Sequence, residues 1–130
     1  MATYGNSWAT QTQIVGTDDG WVTLSGTTPT ESSDVDLETD NYLGAVIVPE
    51  VDFDSTPTDY VDVYVYYSQD GINYNDTPDQ TRRISNATDP NQIDLEVTNR
   101  QHFKVALVQS GSTDNHNVRC YCSRYHGISE

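Results

Sequence analysis

Hydrophobic and polar residues alternate most cleanly over residues 59–76, DYVDVYVYYSQDGINYND. Val61, Val63, Val65 and Tyr67 share one parity, and Tyr60, Asp62, Tyr64 and Tyr66 share the other. An extended chain sends successive side chains to opposite faces, so the pattern predicts a long strand with one apolar face. Its β-branched and aromatic residues suit a pleated, half-buried surface. Ser68-Gln69-Asp70-Gly71 follows as a turn, in which Gly71 can take positive φ and Asp70 can bond its own backbone. Ile72 and Tyr74 resume the alternation, and the unit reads as a β-hairpin.

The same period recurs along the chain. Leu43, Ala45, Ile47, Val51 and Phe53 share a parity, with Gly44, Glu50, Asp52 and Asp54 on the other. Pro49 cannot donate to a ladder and so marks an edge position or a bulge. Ile93, Leu95 and Val97 alternate with Asp94 and Glu96; Phe103, Val105 and Leu107 repeat the pattern, ending at Gly111. Residues 118–125 form the last strand, and 21–24, 35–37 and 82–85 are shorter candidates. Loop chemistry fills 26–33, 54–58, 76–80 and 87–91. No window carries a helical period with caps. Strands at intervals of roughly ten residues predict an all-β chain, an antiparallel β-sandwich (jelly-roll-like or Ig-like) of about eight strands. Its expected core is Leu43, Ala45, Ile47, Val51, Phe53, Val61, Val63, Val65, Ile93, Leu95, Val97, Phe103, Val105 and Leu107. Residues 1–20 are polar, with only Trp8, Ile14 and Val15 as anchors. They read as an extended N-terminal arm, either a frayed tail or a strap across a neighbouring subunit, ahead of a single sandwich domain at 21–130.

Composition narrows the function. A chain of 130 residues can bury one core without metals or disulfides. Hydrophobic residues make up only 35%, and nine Tyr against two Phe and two Trp place part of the apolar area on amphipathic rings. Twenty acids face six Lys and Arg, a net charge of −14, which argues strongly against a nucleic-acid partner. No stretch is long and apolar enough for a bilayer helix, and the N-terminus lacks the charged start and apolar core of a secretion signal. Synthesis in a cytoplasm, or release by lysis, is the expectation.

Candidate chemistry is sparse. DVDLETDN at 34–41 superficially resembles a calcium loop, but that loop needs Gly at its sixth position and a carboxylate at its twelfth, where Thr39 and Ala45 stand. An EF-hand is excluded; strand-edge protection by charge is the preferred account of these acids, with an irregular calcium site as the alternative. His116, Cys120, Cys122 and His126 form a symmetric H-x3-C-x-C-x3-H. On an extended strand the outer histidines stand roughly 33 Å apart, too far for one tetrahedral ion. The cysteines, two apart with parallel Cβ vectors, are expected as buried free thiols, which suits a reducing compartment. No motif such as G-x-S-x-G or H-E-x-x-H is present, so neither an enzyme nor a cofactor is expected. Tyr60, Tyr64 and Tyr66 form an aromatic row opposite the valines. Such a row stacks sugars or buries a protein partner, unless a second sheet covers it.

The sequence resembles small virion structural proteins of tailed bacteriophages. The resemblance rests on Asn41-Tyr42-Leu43-Gly44-Ala45, the segment from Val63 through Ser68-Gln69-Asp70-Gly71 to Tyr74, Phe103-Lys104-Val105-Ala106-Leu107, and a C-terminal strand ending near Arg124-Tyr125. It covers residues 42–125. It implies a non-enzymatic capsid decoration (cement) protein on the exterior of the virion. Its partners would be the major capsid protein and copies of itself, a trimer among the options. The alternative is a carbohydrate-binding or tail-associated host-recognition module. In either case Trp8, Tyr60, Tyr64 and Tyr66 are the expected binding residues, with no metal.

Overall fold

The structure is a computed structural model and describes residues 6–85 and 91–128. Among the described residues the chain is all-β: eleven strands form two antiparallel sheets packed as a sandwich. In chain order these are β1 (Asn6–Trp8), β2 (Thr12–Val15), β3 (Val22–Thr23), β4 (Thr30–Glu31), β5 (Val35–Asp36), β6 (Gly44–Asp52), β7 (Val61–Ser68), β8 (Gln80–Ile84), β9 (Leu95–Thr98), β10 (His102–Gln109) and β11 (Asn117–Ile128). The first sheet runs β1-β11-β6-β9, with β2 and β3 also on β11; the second runs β4-β10-β7-β8, with β5 also on β10. Alternation works as the sequence requires. Val61, Val63 and Val65 are fully buried and face Ala45, Ile47 and Val97 of the first sheet within one core.

The excess over eight strands comes from the first third of the chain. β1, β2 and β3 lie end to end along β11, and β4 and β5 do the same along β10. Each of the two long strands thus has its free edge covered by short pieces, which removes a template for unwanted pairing. Residues 6–15, expected in an arm ahead of the sandwich, are therefore part of its first sheet, and Val15 is a core residue. A polar sequence hides this role because edge strands are held by backbone hydrogen bonds more than by apolar burial. Residues 1–5 lie outside the described residues, as does most of the 87–91 loop.

The expected hairpin is a second correction. Ser68 and Tyr74 share only an isolated bridge, and β7 pairs instead with β8 and β10. Residues 69–75 coil back on themselves because Asp70 captures the local donors. Its Oδ1 accepts from the N–H of Ile72 at 2.9 Å and of Asn73 at 2.8 Å, and Gly71 takes φ of 77°. Ile72, at 80% exposed, is no strand residue. Of the expected core, Leu43 is 40% exposed, and Phe53 and Ile93 are only partly buried. Pro49 stands inside β6, just beyond the last β6–β9 pair, Ile47↔Leu95. Its carbonyl accepts from Ile93 N at 3.3 Å, and its missing N–H costs the β9 ladder nothing.

Candidate functional site

Directly opposed residues of a sheet share a face. Tyr64 pairs with Ala106 and Thr81, Tyr66 with Lys104, and Asp62 with Arg83. The tyrosine row therefore covers the outer face of the second sheet, and the first sheet does not overlie it. Tyr60, Tyr64 and Tyr66 are each half-buried. Tyr64 and Tyr66 meet edge to face at 6.4 Å, and Ala106, opposite Tyr64 on this face, is 2% exposed.

Cations sit on this row. The Arg83 guanidinium lies 3.5 Å from the Tyr60 centroid and bonds Asp62 at 3.0 Å. Lys104 Nζ lies 5.7 Å from the Tyr66 ring and 4.6 Å from Tyr74, and pairs with Glu31 at 2.9 Å. Tyr74 thus extends the row, which its place after a turn concealed. Its hydroxyl donates to Asp34 Oδ1 at 2.5 Å, while Asp34 Oδ2 meets His102 Nδ1 at 2.8 Å. This clamp ties the 69–75 loop to β5 and β10. Burial, then the Asp34 hydrogen bond, pushes the Tyr74 hydroxyl well above the ordinary phenol range.

Trp8 belongs elsewhere. It pairs with Tyr125 on β11, their centroids 5.0 Å apart, and Tyr125 donates to Glu96 Oε1 at 2.9 Å. Glu96 lies between the buried Leu95 and Val97, so this group is on the outer face of the first sheet. Trp8, 53% exposed, and the tyrosine row therefore occupy opposite faces and form no single patch.

The acids and histidines that suggested metals have other work. Asp36 Oδ1 accepts from Glu38 N at 2.8 Å and Thr39 N at 3.0 Å; hydrogen bonds from Thr39 lead in lowering its pKa. His116 is buried against Phe53. Its Nδ1 accepts from Asp54 N at 3.0 Å, so Nε2 carries the hydrogen that reaches Asp59 O at 2.9 Å and Asp114 Oδ2 at 3.2 Å. Asp114 in turn accepts from the N–H groups of Thr58 and Asp59, which hold its pKa down. This network closes the sandwich end where β10 finishes and β11 begins. His126, at the far end of β11, stacks on Tyr42 at 4.5 Å. Cys120 and Cys122 are free, buried thiols; burial pushes both up, Cys122 to about 11. Among the described residues no group of three or more His, Cys, Asp or Glu is placed to hold a metal ion.

One concavity went unmarked in the sequence. The 68–75 loop and the turn at 99–101 enclose a groove of about 550 Å³, lined by Tyr67, Gln69, Asn73 and Arg100 among others. Its residues lie on two loops about thirty positions apart and follow no period, so only the fold brings them together. Comparison with known protein families, with curated proteins and with solved structures finds no match.

Proposed function

We propose that the protein is a non-enzymatic structural subunit of a tailed-phage virion, a decoration (cement) protein on the outside of the capsid that contacts the major capsid protein and its own copies. The observation that carries this reading is the tyrosine face. Tyr60, Tyr64 and Tyr66 on the second sheet and Tyr74 on the adjoining loop present a half-exposed aromatic surface, and aromatic residues are the side chains most enriched where proteins bind proteins. The sequence resemblance over residues 42–125 supports the same reading. So does the covering of β10 and β11 by short strands, which withdraws the edges of two of the long strands from strand addition. The test is the copy number in purified particles, by quantitative mass spectrometry. A cement protein is present in hundreds of copies; a handful of copies confined to the tail would refute the reading.

A second reading, glycan recognition by a tail-associated or carbohydrate-binding module, has the groove beside Tyr67 in its favour. Its volume is that of a small-ligand site, and its lining is polar with one aromatic wall.

A further inference from the structure

The groove has a chemistry of its own. Asp70, the carboxylate on its wall, is already satisfied by its own loop: Ser68 Oγ, the N–H groups of Ile72 and Asn73, and Asn73 Nδ2 at 2.9 Å all donate to it. The amides of Gln69, Asn99 and Gln101 make no side-chain hydrogen bond among the described residues and are exposed. Asn99 is held in the left-handed region at φ 55°, and its N–H donates to Leu43 O at 3.0 Å. The turn is therefore fixed before any ligand arrives.

Arg100 is the informative residue. Acids outnumber bases 20 to 6 in this chain, and Arg83, Lys104 and Arg119 each pair with one. Arg100, like Arg82 and Arg124, has no carboxylate partner among the described residues; it alone of the three lines this groove, lying over the Tyr67 ring 4.5 Å from its centroid. A guanidinium held against a ring keeps its in-plane N–H groups for a ligand, and their fork matches a carboxylate. Side-chain amides offer a donor and an acceptor together, which suits vicinal hydroxyls. A phosphate, carrying nearly two charges, suits a site beside Asp70 on so acidic a chain less well than a single carboxylate does.

We propose that this groove binds a saccharide bearing a carboxylate, a uronic or sialic acid unit of a glycan. The carboxylate sits on Arg100, and the hydroxyls sit on the amides of Gln69, Asn99 and Gln101. This sharpens the glycan reading and rests on it, while holding equally for a subunit on capsid or tail.

The experiment is an NMR titration of the isotope-labelled protein with N-acetylneuraminic acid, glucuronic acid and galactose, following the Gln69, Asn99 and Gln101 amide resonances. The acidic sugars should give saturable shifts at these positions, galactose weaker ones. Arg100→Gln, an exposed change whose thermal midpoint is checked alongside, should weaken acidic-sugar binding by about tenfold or more. Equal binding of galactose and the acids, or indifference to Arg100→Gln, would overturn the acidic class while keeping a glycan site. No saturable shift with any of the three would overturn the glycan reading as well, and would leave the copy-number test of the capsid reading untouched.

Discussion

Gly44 is a point where one added methyl group separates correct packing from wrong. It pairs with Tyr125 on one side and Thr98 on the other. The Tyr125 ring crosses above it to reach Glu96. A β-carbon there would collide with Val97 O and would lie 2.7 Å from the Tyr125 hydroxyl oxygen and 2.9 Å from Cζ. Val97 O belongs to the backbone and cannot retreat without opening the β6–β9 ladder; the ring can retreat only by leaving Glu96. Overpacking costs about 1–3 kcal/mol, and a lost hydrogen bond to a charged group about 1.5–3 kcal/mol. Gly44→Ala is therefore expected to destabilise by roughly 2–4 kcal/mol, on the order of 10 °C in thermal midpoint for a chain of this size. Trp8 packs against the displaced ring at a tilt, so its emission should change as well. The assay is a thermal melt by circular dichroism, with fluorescence read in a Trp21→Phe background. A midpoint within about 2 °C of the parent, which is within about 1 kcal/mol, together with unchanged Trp8 emission would refute the packing described for this face.

Three further outcomes follow from the geometry. Because burial raises both thiols, Cys122 to about 11, a thiol reagent near neutral pH should react slowly with the native protein and titrate both cysteines promptly once it is denatured; prompt native reaction would contradict their burial. Burial alone would lower the His102 pKa, but the Asp34 hydrogen bond with the fields of Asp34, Asp36 and Glu38 outweighs it, and the net shift is upward from 6.5. A raised folded pKa gives stabilisation that is complete below the ordinary value and is lost as pH rises through the folded one. Urea midpoints of the parent and His102→Gln should therefore differ most at pH below 6.5 and draw together as pH rises above the raised folded value; a constant difference would count against the ion pair. Deleting residues 1–20 strips β1 and β2 from β11 and removes Val15 from the core, so the truncated chain should melt earlier; an unchanged midpoint would mean these strands are dispensable.

The long strands were legible because period-two alternation is a local property: Val61, Val63 and Val65, or Leu95 and Val97, carry it without help from the rest of the chain. What the pattern cannot carry is partner choice. Ile72 and Tyr74 continue the alternation of β7, yet the Asp70 side chain competes for the backbone there and β8 takes the pairing. The edge strands β1 and β4 are short and polar and left no apolar signature, whereas β2 showed only Ile14 and Val15 and β5 was legible at Val35. Val118, Cys120 and Cys122 fill the core from β11, although the His116-Cys120-Cys122-His126 spacing raised the question of a metal first. Of the candidate surface, the tyrosine row was legible as a shared parity. Its extension to Tyr74, its separation from Trp8 and the groove at Arg100 depend on which loops the sheets bring together.

How charge bears on attachment follows from where the cations are spent. The chain carries −14, yet on the outer face of the second sheet Arg83 answers Asp62 and Lys104 answers Glu31, each lying over tyrosine rings. The face is close to neutral within itself, so a partner meets aromatic area rather than an acidic field. Arg82 stands opposite Val63 on the edge strand β8 and is exposed, an inward-pointing charge that discourages pairing at that edge. If the subunit attaches through its tyrosines, the driving force is burial of aromatic surface, which salt does not screen. The Debye length falls from about 10 Å to about 3 Å between 0.1 and 1 M salt, so exposed charge contacts would be largely lost over that range. Binding of the protein to undecorated particles, measured by co-sedimentation across that range, should change by less than about threefold, a shift of under 1 kcal/mol. Tyr64→Ala should weaken it at every salt concentration, since truncating an aromatic anchor removes interface area rather than charge. A steep loss of binding with salt, with Tyr64→Ala indifferent, would move the attachment to the acidic surface and away from this face.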